Sequence, residues 1–162
     1  MKRFLFFFFF FFMETWVPAQ VVTTQPSLPT QRDEVVVTFH AEEGTGGLEN
    51  HDGEIYAHTG VITSESSGDS DWKYVVTEWG ENTEGTRLTK IDANTWEFTI
   101  SPDIRSYYGV PDGETIQKMA FVFRSGSEVG GSYLEGKAEG GDDIFVEVYQ
   151  AELTAVLSQP AT

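Results

Sequence analysis

The sequence predicts an all-β domain: an antiparallel two-sheet β-sandwich with one short helical turn. Three observations lead there. Short runs of residues alternate apolar and polar side chains with period two, the spacing of a half-buried strand. Gly, Asn and Asp clusters separate these runs at near-regular intervals, as in a sandwich of short strands. Helix signals gather at only one place, SPDIRSYYG (Ser101–Gly109).

The chain of 162 residues opens with MKRFLFFFFFFFMETWVPAQ. Lys2 and Arg3 make a positive start, Phe4–Met13 an apolar run and Val17-Pro18-Ala19 a small-residue end. This is the pattern of a secretory signal peptide, residues 1–19, with cleavage expected between Ala19 and Gln20. The apolar run is far short of the roughly 20 residues that span a bilayer, so no membrane insertion is expected. The chain has no Cys to carry a lipid anchor or a disulfide. The product is expected to be secreted or held at the cell surface, its core alone carrying its stability.

The folded domain is expected over residues 20–150, with 151–162 as a tail or a linker to a further domain. Val21–Thr24 is a short extended run that meets Pro26 and Pro29, which suits an edge strand entering a turn. Glu34–His40 alternates, with Val35, Val37 and Phe39 on one face. Ile55–Ile62 places Ile55, Ala57, Thr59 and Val61 on one side and Tyr56, His58, Gly60 and Ile62 on the other. Thr63–Asp71 is polar and Gly/Ser/Asp-rich, a loop. Trp72–Thr77 reads as a strand with Trp72, Tyr74 and Val76 together. Thr86–Ile91 and Thr95–Ile100 form a hairpin across Asp92-Ala93-Asn94, with Trp96, Phe98 and Ile100 facing the core. In the helical stretch Ser101 is the expected N-cap, Pro102 the first residue and Gly109 the end. Ile116–Arg124 turns Met119, Phe121 and Phe123 to one face, Ser125–Gly141 is a long Gly-rich loop, and Asp143–Tyr149 closes the sandwich with Ile144, Val146 and Val148 inward. Strands of this number and size fit an immunoglobulin-like arrangement.

Charge narrows the function. The formal net charge is −16, and −17 once Lys2, Arg3 and Glu14 are removed with the leader. Such a surface repels nucleic-acid phosphates and anionic membranes, which leaves neutral polar molecules or cations as partners. Catalytic constellations are missing: there is no G-x-S-x-G, no H-E-x-x-H and no P-loop. Paired carboxylates occur at almost any spacing in so acidic a chain, so they point nowhere in particular, and the domain is read as non-catalytic. His40, His51 and His58 fall in different elements and predict no metal site. Asp69-Ser70-Asp71 and Gly141-Asp142-Asp143 offer the hard oxygen ligands of a structural calcium but not a full loop pattern. No other cofactor is expected.

The aromatics divide in two. Trp96, Phe98, Phe121 and Phe123 alternate within strong strands and belong to the core. Tyr56 and His58 share a face with Gly60, which has no side chain to pack, and Trp72 follows a polar loop. Flat rings beside hydroxyl-rich loops suit a sugar, whose C–H face stacks on an aromatic while its hydroxyls hydrogen-bond to polar groups. A purely structural immunoglobulin-like spacer or assembly domain of an exported protein is the alternative, with those rings capping the sandwich.

The strings YAHTGVIT (Tyr56–Thr63), DWKYV (Asp71–Val75), WGENT (Trp79–Thr83), WEFTISPDIRSYYGVPDGE (Trp96–Glu114), MAFVFRS (Met119–Ser125) and GGDDIFVEVY (Gly140–Tyr149) resemble a starch-binding carbohydrate-binding module of the family 26 type. Such modules stand at the N-terminus of secreted bacterial α-amylase-type proteins. The resemblance covers about residues 21–150. It implies a non-catalytic module that binds α-glucan polysaccharide or oligosaccharide. It also implies a covalently linked amylase domain in a longer parent protein. Its site residues, carried over, are Tyr56 and Trp72 as stacking rings and His58 as a hydroxyl partner, with Trp79 as an additional platform.

Overall fold

The computed structural model describes residues Gln20–Ala151; the predicted signal peptide and residues 152–162 lie outside the described residues. The elements are β1 (Val22–Gln25), β2 (Val35–His40), β3 (Ile55–Thr63), β4 (Thr89–Lys90), β5 (Thr95–Ile100), α1 (Ile104–Tyr108), β6 (Ile116–Ser125), β7 (Glu135–Gly136) and β8 (Ile144–Glu147). Single 3₁₀ turns occur at Glu84–Thr86 and Glu139–Gly141.

Two antiparallel sheets face each other. One runs β1-β2-β5-β4, and in the other β6 lies between β3 and the pair β7 and β8. β7 pairs with Phe123 and Arg124 of β6, and β8 with Lys118–Phe121. The two therefore act as one last strand interrupted by residues 137–143. With that strand counted once, the orders are those of the A-B-E-D and C-F-G sheets of a constant-type immunoglobulin sandwich.

Alternation builds the core as the sequence predicts. Val35, Val37 and Phe39 of β2 and Trp96, Phe98 and Ile100 of β5 meet Ile55, Ala57 and Val61 of β3 and Met119, Phe121 and Phe123 of β6, all buried. Ring contacts tie the layers together. Phe39 stacks on Phe123 at 4.2 Å, and Phe98 meets Phe121 edge-on at 6.4 Å.

Three expectations need correction. Trp72–Thr77 is not a regular strand. Lys73 exchanges hydrogen bonds with Val61 (2.9 and 2.8 Å), and the Val76 N–H donates to the Thr59 carbonyl at 3.0 Å, so the segment follows the free edge of β3. Tyr74 breaks the pleat with φ 51°, and its hydroxyl donates to Glu114 Oε2 at 2.5 Å. Trp72, Tyr74 and Val76 consequently do not share a face: Tyr74 packs against the core while Val76 is exposed. The strand expected over Thr86–Ile91 shrinks to β4, because its first half serves the other sheet, where Leu88 N–H donates to the Ile55 carbonyl. The helix cap is Asp103, not Ser101. The Asp103 carboxylate accepts from Ser106 N–H at 2.8 Å, and the Ser101 hydroxyl is engaged with Glu34 at 2.7 Å. Gly109, at φ 69°, ends the helix as expected.

Gly60 shows how closely the Trp72–Thr77 segment crosses β3. A Cβ at this position would lie 2.9 Å from the Lys73 carbonyl oxygen and 3.1 Å from Val75 Cγ2. On backbone entropy alone Gly→Ala within a strand stabilises. Here Gly60→Ala is expected to destabilise by about 1–3 kcal/mol through overpacking, measured by urea unfolding; a stabilised variant would show that the segment does not press on β3.

Candidate functional site

Tyr56, His58 and Gly60 of β3 pair with Arg124, Val122 and Ala120 of β6, on the side of the sheet away from the core. The connection from β3 to β4 folds back over this floor and brings Trp72 and Trp79 to it. Trp72 is set by its loop. Its indole N–H donates to the Asp69 carbonyl at 3.1 Å. Asp71 accepts from the Ser67 N–H and hydroxyl (2.9 and 3.1 Å) and pairs with Lys73 at 3.0 Å, which together hold its carboxyl below the usual range. Asp69 meanwhile grips Lys118 with both oxygens at 3.0 Å.

Trp79 sits in a turn closed by Glu81 N–H to the Glu78 carbonyl at 3.1 Å. Arg124 holds that turn from below. Its guanidinium donates to the Glu81 carbonyl (2.5 Å), the Asn82 side-chain oxygen (2.8 Å) and the Ser125 carbonyl (3.1 Å). It lies 4.9 Å from the Tyr133 ring and 5.4 Å from that of Tyr56. Arg124 is 1% exposed, and among the described residues its hydrogen-bond partners are neutral oxygens. Asn82 returns a bond to the Gly126 carbonyl at 2.8 Å, pinning the turn at a second point.

The result is a strip of rings across the outer face. His58 lies between Trp72, nearly parallel at 5.9 Å, and Trp79, edge-on at 5.2 Å. Phe145 of β8 meets Trp72 edge-on at 6.4 Å, and Tyr133 meets Trp79 at 6.1 Å. Trp79 is 45% exposed and Trp72 half-buried. His58, Ser70, Trp72, Val75, Val122 and Asp143 line a shallow concavity of about 330 Å³. A larger cleft of about 610 Å³ lies elsewhere, beside Arg87, Lys90 and buried Trp96. Its charges satisfy one another, with Arg87–Glu54 at 2.9 Å and Lys90–Asp52 at 3.2 Å, and it offers no exposed ring.

Of the four residues singled out from sequence, His58, Trp72 and Trp79 come together. Tyr56 shares their face but is 5% exposed, contrary to the expectation of a free ring. Arg124 lies over it and its hydroxyl donates to Glu54 at 2.9 Å; burial and the Glu54 carboxylate push the phenol pKa up. Tyr133 and Phe145 were not anticipated. Phe145 carried a signal, a large aromatic between the inward-facing Ile144 and Val146. Tyr133, in a Gly-rich stretch, carried none. Among the described residues no group of three or more His, Asp or Glu side chains converges as a metal site, and no helix is long and apolar enough to cross a membrane.

His58 Nδ1 is buried without a hydrogen-bond partner among the described residues. Burial first, and the nearby Arg124 charge second, lower its pKa from 6.5, opposed by Glu78 and Asp143. The folded protein thus binds this proton more weakly than the unfolded chain, so the contribution of His58 to stability is present above about pH 6.5 and is lost as the pH falls through its lowered folded-state value. NMR titration is expected to give a His58 midpoint below 6.5, and His58→Gln to flatten that part of the stability profile. Arg124→Met leaves the Glu81 and Asn82 oxygens unpaired and is expected to cost about 1–3 kcal/mol. Acrylamide quenching of Trp79 should rise with it; unchanged quenching would show that the turn holds without the guanidinium.

The family described as Domain of unknown function (DUF8578) matches residues 22–129. The match runs from β1 past the end of β6 and includes His58, Trp72, Trp79 and Arg124. No curated protein matches the chain. With two-thirds of its length so matched, the chain belongs to the DUF8578 family.

Proposed function

We propose that the chain is a non-catalytic carbohydrate-binding module that holds α-glucan chains against His58, Trp72 and Trp79. The observation that carries this reading is the placement of two indoles, Trp72 and Trp79, on either side of His58 on one accessible face. Indole faces take the C–H side of a sugar ring, and the surrounding Ser70, Asp143 and Glu78 supply acceptors for hydroxyl groups. The choice of α-glucan rests on the resemblance of YAHTGVIT and DWKYV to starch-binding modules. Secretion to the medium or the cell surface, and linkage to an amylase-type domain, belong to the same proposal and rest on the leader sequence and that resemblance. The binding triad is revised to His58, Trp72 and Trp79, with Tyr56 supporting the floor.

The rival reading, a structural spacer, draws on the burial of Tyr56 and on the edge-to-face contacts among the rings, which also pack the connection onto the sheet. Affinity electrophoresis in amylopectin gels separates the two. The wild type should be retarded, and Trp72→Ala and Trp79→Ala should each lose at least fivefold in affinity, the equivalent of about 1 kcal/mol per stacked ring. Tyr56→Phe should bind as the wild type. Unretarded wild type, or alanine variants that bind unchanged, would favour the spacer.

A further inference from the structure

The interruption of the last strand has a counterpart on the surface. Residues 137–143, which separate β7 from β8, stand beside the outer face next to Trp72. With the polar loop they enclose a second trough of about 540 Å³, lined by Asp69, Ser70, Ala138, Asp142, Asp143 and Phe145. Ser70 and Asp143 also line the concavity at Trp72 and His58, so the two troughs adjoin. Each is of a size found for ligand clefts, roughly 300–1,000 Å³.

The chemistry of the second trough is one-sided. Its floor is Phe145, 6.4 Å from Trp72. Its walls carry the carboxylates of Asp69, Asp142 and Asp143, which when ionised only accept hydrogen bonds. The nearby cations are engaged: Lys118 by Asp69 at 3.0 Å while it lies 5.4 Å from the Phe145 ring, and Lys137 by Asp143 at 3.1 Å. Asp142 is exposed and adds negative charge to the rim. A donor-rich, uncharged chain matches this wall, and an anionic one meets like charge in a strongly acidic protein.

Resting on the carbohydrate-binding reading, we propose that the binding site continues past Trp72 into this trough. The extension takes further sugar units of an uncharged glycan, with Phe145 as their platform, and turns away glycans that bear carboxylate groups.

Titration calorimetry with maltose through maltoheptaose tests the extension. Phe145→Ala is expected to leave maltose affinity within about twofold and to weaken maltoheptaose about three- to tenfold, the range of one aromatic contact. Phe145→Tyr should retain the longer ligand, and melting temperatures will confirm that both variants fold. A Phe145→Ala effect that is equal at every chain length, or absent at every length, overturns the extension while leaving the Trp72–Trp79 site in place. Failure of the wild type to bind any of these sugars rejects the carbohydrate reading itself, and the extension with it. Carboxymethylated amylose tests the charge selection. The wild type should bind it at least tenfold more weakly than amylose at low salt, and the Asp142→Asn variant should recover threefold or more. Equal wild-type affinity for the two polymers overturns the selection.

Discussion

The outer face of the second sheet is organised by one buried cation. Among the described residues Arg124 is the only charged side chain in the buried set, in a chain whose net charge is −16. A guanidinium removed from water must recover its hydration through hydrogen bonds and aromatic faces. Here it does so with the Glu81, Asn82 and Ser125 oxygens and the rings of Tyr56 and Tyr133. Those partners come from β3, from the connection between β3 and β4, from β6 itself and from the stretch before β7. The cation's need for neighbours and the placement of Trp79 are thus the same set of contacts. Its planar fork, able to bond several oxygens in one plane, is what lysine's ammonium could not supply.

Charge placement on this face follows from that arrangement. Acidic side chains crowd the rim while the floor holds Val122, Ala120, Gly60 and rings. His58 stands between the Arg124 cation and the Glu78 and Asp143 carboxylates, and burial tips it toward the neutral form. A neutral imidazole can accept as well as donate, so it remains a versatile partner at the centre of an otherwise acceptor-rich surface.

Much of the fold was legible because period two leaves few alternatives. β2 and β5 bury one face each, β3 and β6 bury the core face and most of the outer one, and the pattern of Val35-Val37-Phe39 or Met119-Phe121-Phe123 has no helical reading. The irregular edge after Trp72 was not legible in the same way. Its residues have strand propensity, and nothing local announces the positive φ of Tyr74. That conformation goes with a long-range bond to Glu114, forty residues on. The helix cap moved for a similar reason, since Ser101 is engaged by Glu34. At the site, alternation placed Tyr56 and His58 on the outer face correctly but could not tell an outer face from an exposed one. Whether an outward ring is open depends on what folds over it, and Arg124 covers Tyr56 while leaving His58 half-open. Tyr133 reaches the strip from a stretch of Gly and Ser that has no periodicity to read.

The broken last strand also matters for how copies of this chain meet one another. A sandwich ends in strand margins whose free N–H and C=O groups can recruit a neighbour's backbone. In this fold those margins are short: four residues in β1, two in β4, two in β7 and four in β8. The remaining margin, along β3, is occupied by Lys73, Val76 and Leu88 of the chain's own connection. The kink at Tyr74 and the excursion at 137–143 therefore deny any neighbour a long ladder on which to pair. Copies at high concentration can stay separate units, kept apart by the shape of their edges as well as by their charge.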